Sequence, residues 1–312
     1  MERVSIRPGL AIVVGAGVLL GLVASLLLEA RRAPASFAGS NGRLAIASDR
    51  SGGDQEIFTM NKRGGDLEQL THGSTYVGAP AYSRNANRIL FNQLVGGKGD
   101  VFVMDSNGHH KKDLTKNPAY DTSPHFSPNG RRILFDSDRT GRDQVFIMRA
   151  DGSHQRRLTH DSHEDDDPVF FPSGRKIAFT SYFPSSSCKS AIIAMNLDGS
   201  HRHRLTDKTH CQFGPNVSPN GKLIAFSRDN AKGNPDLFEM HADGTHVRRL
   251  TKTSDPREFD ATFSPDSRKI AYDRGTTIGD YDIRVMTATG KHDHVLLGGP
   301  SNEYVSDWGR RP

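Results

Sequence analysis

The side chains best suited to chemistry crowd into one stretch, HDSHEDDD at positions 160–167. His163 offers an imidazole nitrogen and Asp165, Asp166 and Asp167 offer carboxylate oxygens, the donors that a hard divalent cation such as calcium accepts. The stretch lacks the ligand spacing and the glycine of an EF-hand loop, so a solvated acidic loop is the competing reading. With His210 and nearby carboxylates, the same groups would also serve a metal-assisted lyase or hydrolase. No G-x-S-x-G, H-E-x-x-H, phosphate-binding glycine loop or paired Cys and His is present, so no catalytic residue is assigned. Cys188 and Cys211 are the two cysteines of the chain, and an exported compartment would join them as a disulfide.

What must position these residues is a repeat. Met60, Met104, Met148, Met195, Met240 and Met286 recur at intervals of 44 to 47 residues, each followed ten residues later by a leucine and four residues later by a glycine. Five of the six leucines, Leu70, Leu114, Leu158, Leu205 and Leu250, precede a threonine. Three markers kept in step six times define a tandem array.

The unit from Ser123 reads as four strands: SPHF, then RRILF after the turn SPNG, then QVFIM, then HQRRLT after the turn RADGS. Ser-Pro-Asn-Gly fixes φ at proline and allows positive φ at glycine, and Asp-Gly does the same in the second hairpin. Unbroken apolar runs such as ILF and VFIM mean that both sheet faces are covered. Four-stranded sheets repeated at this period and covering one another are propeller blades.

The first unit lacks an inner strand, because Gly42-Arg-Leu-Ala-Ile46 already corresponds to the second strand. The inner-strand aromatic positions run Tyr82, Phe126, Phe170, Val217 and Phe263, and the next step reaches Trp308 in SDWGRRP. The expected fold is therefore all-β: a six-bladed β-propeller of four-stranded antiparallel blades, closed by the C-terminal strand completing the first blade, preceded by one N-terminal apolar helix. Closure removes the open edges of a linear array. Loss of residues 305–312 is expected to open the ring, and loss of residues 1–38 to leave it folded.

Within this register the position ahead of each inner strand reads Val77, Asp121, Asp165, Gln212, Glu258 and Glu303. These would form a channel-mouth ring of negative potential able to hold a cation or receive a basic peptide; ordinary turn carboxylates are the alternative. His110, His154, His201, His246 and His292 fall on separate blades at the opposite face, too far apart for the roughly 2 Å contacts of a shared metal. They read as exposed turn residues. The pairs Lys111-Lys112, Arg156-Arg157 and Arg248-Arg249 fall on outermost strands, where charge discourages edge pairing, or where it would attract an anionic cell-wall polymer or lipid.

Residues Gly9 to Leu28 form twenty consecutive uncharged positions between Arg7 and Glu29. That is about the length of a membrane-spanning helix, and longer than a signal-peptide core. Residues 1–40 therefore read as a signal anchor and linker, and 41–312 as the propeller. Cleavage at Ala33-Pro34-Ala35 is the alternative, which would leave a secreted or periplasmic protein. The remaining charge, 41 Lys and Arg against 36 Asp and Glu, contains no basic block of the kind that makes a nucleic-acid arm.

FSPDSRKIAY and FSPNGRRILFDSDRTGRDQVFIMRADGSHQRRLT resemble the repeat of the TolB-like propellers. That resemblance implies an exported envelope protein whose propeller binds another envelope protein, in the family's namesake a peptidoglycan-associated lipoprotein. Here an apolar segment stands where that protein carries an α/β domain, which sets the expectation apart from the Tol-Pal machine. Only four residues follow Trp308, which sets it apart from the relatives fused to a serine peptidase. The expected function is a membrane-anchored, extracytoplasmic binding scaffold for a protein or peptide, with no required cofactor and no nucleic-acid partner. A propeller-type lyase or hydrolase using a metal and channel-mouth His and carboxylates is the alternative.

Overall fold

The computed structural model describes residues 37–311, except 74, 185–187, 254–255 and 277–279. The expected N-terminal helix and signal anchor lie outside the described residues. Among the described residues no helix is long and apolar enough to cross a membrane.

Six four-stranded antiparallel sheets form the blades. In blades two to six the inner strands are Val77–Tyr82, Asp121–Phe126, Glu164–Phe170, Gln212–Val217 and Arg257–Phe263. Behind them stand the second strands Arg88–Val95, Arg132–Ser137, Lys176–Tyr182, Leu223–Asp229 and Lys269–Gly275. The third strands are Lys98–Asp105, Gln144–Arg149, Ser190–Asn196, Pro235–His241 and Tyr281–Thr287. Outer strands are short, two residues each as in Arg156–Arg157, except His294–Leu297 in the sixth blade. The first blade pairs Asn41–Ser48, Glu56–Met60 and Glu68–Gln69 with an inner strand, Glu303–Arg310, taken from the other end of the chain.

Closure is specific in register. Leu44 lies opposite Trp308, Ala45 opposite Asp307 and Ser48 opposite Glu303. Trp308 is 1 % exposed and packs in one apolar cluster with Leu44, Ile46, Met60 and Val285. It fills in its blade the place that Phe126 and Phe263 fill in theirs.

The repeated sequence markers each have a physical role. The threonine of the Leu-Thr pair accepts a hydrogen bond from the N–H near the start of the third strand: Val101 to Thr115, Val145 to Thr159 and Ile192 to Thr206, all at 3.0 Å. Its leucine is buried and donates its own N–H back to the same residue, as in Leu114 to Val101 at 2.8 Å. The two-residue outer strand is thereby tied down by side chain and backbone together. The Asp-Gly-type turn reaches into the preceding blade. At Gly108, with φ +84°, a Cβ would stand 2.6 Å from the carbonyl oxygen of Leu70, so glycine satisfies both the left-handed turn and the blade-to-blade contact.

Every inner strand carries a register shift against its neighbour. In four of them a non-glycine residue takes a left-handed backbone at the bulge: Ala79, Ser123, Asp167 and Asp260, with φ between 48° and 53°. The inner strand is an edge strand facing the channel, and Pro80, Pro124, Pro168 and Pro215 occupy it beside the bulge, where no ladder hydrogen bond is lost.

On the face formed by the turns between inner and second strands, Phe37 inserts at the mouth of the channel. It is 9 % exposed and shares an apolar pocket of about 150 Å³ with Phe126, Phe170, Val217, Pro128 and Pro172. Gly39 then donates to the carbonyl of Pro265 at 3.0 Å, and Arg311 donates to that of Ser40 at 2.7 Å. Trimming the chain back past residue 38 therefore removes a buried aromatic, a loss the sequence reading did not anticipate.

Candidate functional site

The six positions expected to ring the channel mouth are not in the loops ahead of the inner strands. They are strand residues, each paired with the second strand: Val77 with Gln93, Asp121 with Ser137, Asp165 with Ser181, Gln212 with Arg228, Glu258 with Arg274 and Glu303 with Ser48. All are buried, and the four carboxylates and Gln212 show no exposed surface.

Each polar member is met by an arginine. Arg139 donates from Nη2 to both carboxylate oxygens of Asp121 at 2.9 Å, while its guanidinium stands 4.7 Å from the ring centre of Phe146 and 5.3 Å from that of Phe135. Arg228 donates to Oε1 of Gln212 at 2.8 and 3.1 Å and stands 4.7 Å from Phe238. Arg202 reaches Asp165 at 3.2 Å from near the outer strand, because Phe183 occupies the place of Arg139 in that blade. Arg50 binds Glu303, and Arg274 lies 3.7 Å from Glu258. In the second blade the acid gives way to Val77, Gln93 stands where the fifth and sixth blades carry Arg228 and Arg274, and Val95 stands where the third carries Arg139. A buried carboxylate is tolerable when its charge is matched and hydrogen-bonded. The expected open ring of negative potential is thus a set of clamps within the blades.

Burial dominates the titration of these groups. It pushes the Glu258 carboxyl up to about 7, outweighing the Thr251 hydroxyl and the Arg274 charge. Asp165 and Glu303 are raised in the same way, against the pull of Arg202 and Arg50. Asp229, on the same face beside Cys211, is also pushed up to about 7 by burial, with Arg257 opposing.

The HDSHEDDD stretch is divided by the fold. Its last four residues open the inner strand of the fourth blade, so Asp165, Asp166 and Asp167 are buried strand residues and not a solvated loop. Asp167 accepts from the N–H of Gly214 at 3.2 Å and from the Thr180 hydroxyl at 3.3 Å. His163 stays in the preceding loop with its ring 4.7 Å from Phe183 and Nδ1 3.7 Å from Asp161. His210 meets Asp207 on its own loop at 3.3 Å. Among the described residues no three His, Cys, Asp or Glu side chains gather as metal ligands would.

Cys188 and Cys211 are joined, their Cα atoms 5.0 Å apart, and tie the long loop of the fourth blade to the strand that opens the fifth. The repeated histidines have a backbone explanation. His110, His154, His201, His246 and His292 all take φ between 54° and 58°, a region in which His, Asn and Asp are enriched; Asp66 fills the same place in the first blade.

Two features of this face escaped the sequence reading. One position after each of the six, blades five, six and one carry Phe213, Phe259 and Tyr304, whereas blades two, three and four carry Gly78, Thr122 and Asp166. With Tyr281, the aromatic half forms a run of ring contacts at 5.9, 6.0 and 5.4 Å. The register of the repeat, read one place further, contained this signal. The second feature is a groove of about 430 Å³ between blades two and three, lined by Lys98, Asn117, Pro118, Ala119, Asp138 and Arg139. Asp138 accepts from the N–H of Tyr120 at 2.8 Å, and the Lys98 ammonium sits 4.9 Å from the Tyr120 ring. The groove floor is thus fixed, while both charge signs remain at its rim.

The TolB beta propeller domain family matches residues 74–231 and, in an overlapping second alignment, 167–306. Among solved structures, TolB from Acinetobacter baumannii is similar at 20 % identity and a TM-score of 0.73, over 85 % of this chain and 67 % of that one. A putative TolB from Agrobacterium tumefaciens is similar at 18 % identity and a TM-score of 0.68, over 86 % of this chain and 99 % of that one. The oligogalacturonate lyase of Vibrio parahaemolyticus is similar at 11 % identity and a TM-score of 0.55, over 84 % of this chain and 73 % of that one. Identities this low speak for the fold alone. No curated protein matches this chain.

Proposed function

Because this chain belongs to the TolB beta propeller domain family, we propose that it is an extracytoplasmic binding scaffold that holds a protein or peptide partner on the face where the inner strands begin. The observation that carries this reading is the groove between blades two and three. It encloses about 430 Å³, has a hydrogen-bonded floor, and is lined by Lys98, at the start of the second blade's third strand, and by Asp138, in a loop of the third blade. Convergent loops on a rigid propeller are where partners commonly engage. The clamps suit this role, since they hold the rim still before a partner arrives and so reduce the ordering cost of association.

In this reading the apolar segment 9–28 anchors the chain in a membrane and leaves the propeller on the extracytoplasmic side. The joined cysteines agree with an oxidising compartment. A photo-crosslinking residue placed at Lys98 in the full chain, expressed in cells, is expected to yield a discrete protein adduct that Asp138→Arg abolishes. Adducts from a control position at Lys222 on the opposite face, with none from Lys98, would overturn the choice of face.

A further inference from the structure

The opposite face has a different electrostatic character. Its inner ring is made of the turns between inner and second strands together with residues 37–40 and Arg311. Each blade there exposes a cation: Arg84, Arg131, Arg175, Lys222, Arg268 and Arg311. Neighbouring Arg132, Lys176 and Lys269 are exposed as well, and the one exposed acid of this ring among the described residues, Asp266, is engaged by Asn41 and by the Ser264 hydroxyl. Further from the axis, Asp151, Asp198 and Asp243 bond Ser153, Ser200 and Thr245 within their own turns, and Asp105 bonds His110. On the other face Arg50, Arg139, Arg202, Arg228 and Arg274 are committed to buried partners; here the arginines are presented to solvent.

Phe37 stands at the centre of this cationic ring. Only eight residues, 29–36, separate Phe37 from the uncharged segment 9–28. Fully extended, eight residues span at most about 28 Å. If that segment is membrane-embedded, the ring cannot stand further from the bilayer surface than roughly this distance.

We propose that this face docks on an anionic lipid surface, with phospholipid headgroup phosphates as the ligands of the ring. Juxtamembrane Lys and Arg are attracted to anionic lipid within about a Debye length, and a ring with one or more cations per blade presents them in one plane. A flat membrane beside the linker fits that geometry, whereas a soluble polyanion has no reason to meet the ring broadside. The proximity argument rests on the anchor reading above; the charge argument does not.

Trp308, the single tryptophan of the chain, lies at the end of the closing strand near this face and serves as a fluorescence donor. The full chain is reconstituted in nanodiscs containing dansyl-labelled headgroups, either in phosphatidylcholine alone or with about a third phosphatidylglycerol. Energy transfer is expected to be about twofold higher in the anionic discs and to fall to the neutral value in about 0.5 M salt. The same fall is expected in the charge-reversed set Arg84→Glu, Arg131→Glu, Arg175→Glu and Lys222→Glu. A glutamine set at the four positions, checked for unchanged thermal melting, reads the same loss without reversed charge. Equal transfer in both lipids, or an unchanged glutamine set, overturns the proposal; so does preference for soluble polyphosphate over the anionic discs. Flotation with neutral vesicles reads the anchor separately: its absence defeats the anchor, while preference for anionic vesicles still decides the face.

Discussion

The carboxylate of Asp307 accepts a hydrogen bond from the backbone N–H of Tyr82 at 2.8 Å, across 225 residues of sequence. It joins the strand that completes the first blade to the inner strand of the second. Asn216 does the same between blades five and six, accepting from Phe263 at 3.2 Å. Asp307→Ala leaves a buried N–H without its acceptor and is expected to cost about 1–3 kcal/mol. Asp307→Asn, which keeps an acceptor, should cost less, and removal of residues 305–312 far more. Thermal melting of the three proteins orders them; an octapeptide deletion that melts like the intact chain would disprove closure.

Two glycines of the same repeat position separate backbone conformation from blade contact. Gly108→Ala must accommodate a left-handed backbone and a Cβ 2.6 Å from the Leu70 carbonyl oxygen, whereas Gly199→Ala, with φ +88°, meets nothing within 4 Å. The second change is expected to cost about 1–2 kcal/mol, and the first clearly more. Urea unfolding of both variants measures the difference, and equal midpoints would mean that the contact is irrelevant.

Removing one partner of the Arg139 and Asp121 clamp strands a buried charge. Arg139→Ala is expected to destabilise by about 3–5 kcal/mol. The second blade supplies its own remedy, since it carries Val77 in the place of Asp121 and Val95 in the place of Arg139. The double variant Asp121→Val with Arg139→Val, which reproduces that pair, should recover most of the loss. A double variant no better than Arg139→Ala would place the cost in the lost stacking on Phe135 and Phe146 instead.

Glu258 links stability to pH. Its carboxyl is raised from the ordinary 4.5 to about 7 in the folded chain, so between those values the native state keeps a proton that the unfolded chain has released. The contribution of this group to stability is therefore largest below pH 4.5 and falls by about 3 kcal/mol on passing pH 7. Asp229, also near 7, adds in the same direction. Glu258→Gln should flatten part of the slope between pH 5 and 7, as read from denaturation midpoints, and should stabilise most at pH 8 relative to the parent. A slope unchanged by the substitution would place the effect elsewhere.

The fold was legible because its markers are structural necessities. Met, Gly, Leu and Thr recur where the third strand, the blade-to-blade turn and the outer-strand tie demand them, and Trp308 completes a spacing that five other residues define. The site was less legible. Reading Asp121, Asp165, Glu258 and Glu303 as an acidic ring counted acids but overlooked Arg139, Arg202, Arg274 and Arg50, which lie on other segments of the chain, Arg202 just before the outer strand. The bulges had a signal in Pro80, Pro124, Pro168 and Pro215, since proline inside a strand marks an interrupted ladder. The histidines followed from a backbone dihedral, which residue spacing does not encode. The groove beside Lys98 arises between loops of two blades, and no single unit contains it.

Pairing Ser48 with Glu303 also sets an order of events in synthesis. Some 255 residues separate the two, and at roughly 5–20 residues per second a ribosome needs about 10 to 50 s to make them. For that interval the strand Asn41–Ser48 has no inner neighbour, and its edge is open to any other nascent strand. A chaperone that shields this edge until the final residues emerge would raise the yield of closed rings without touching any finished contact.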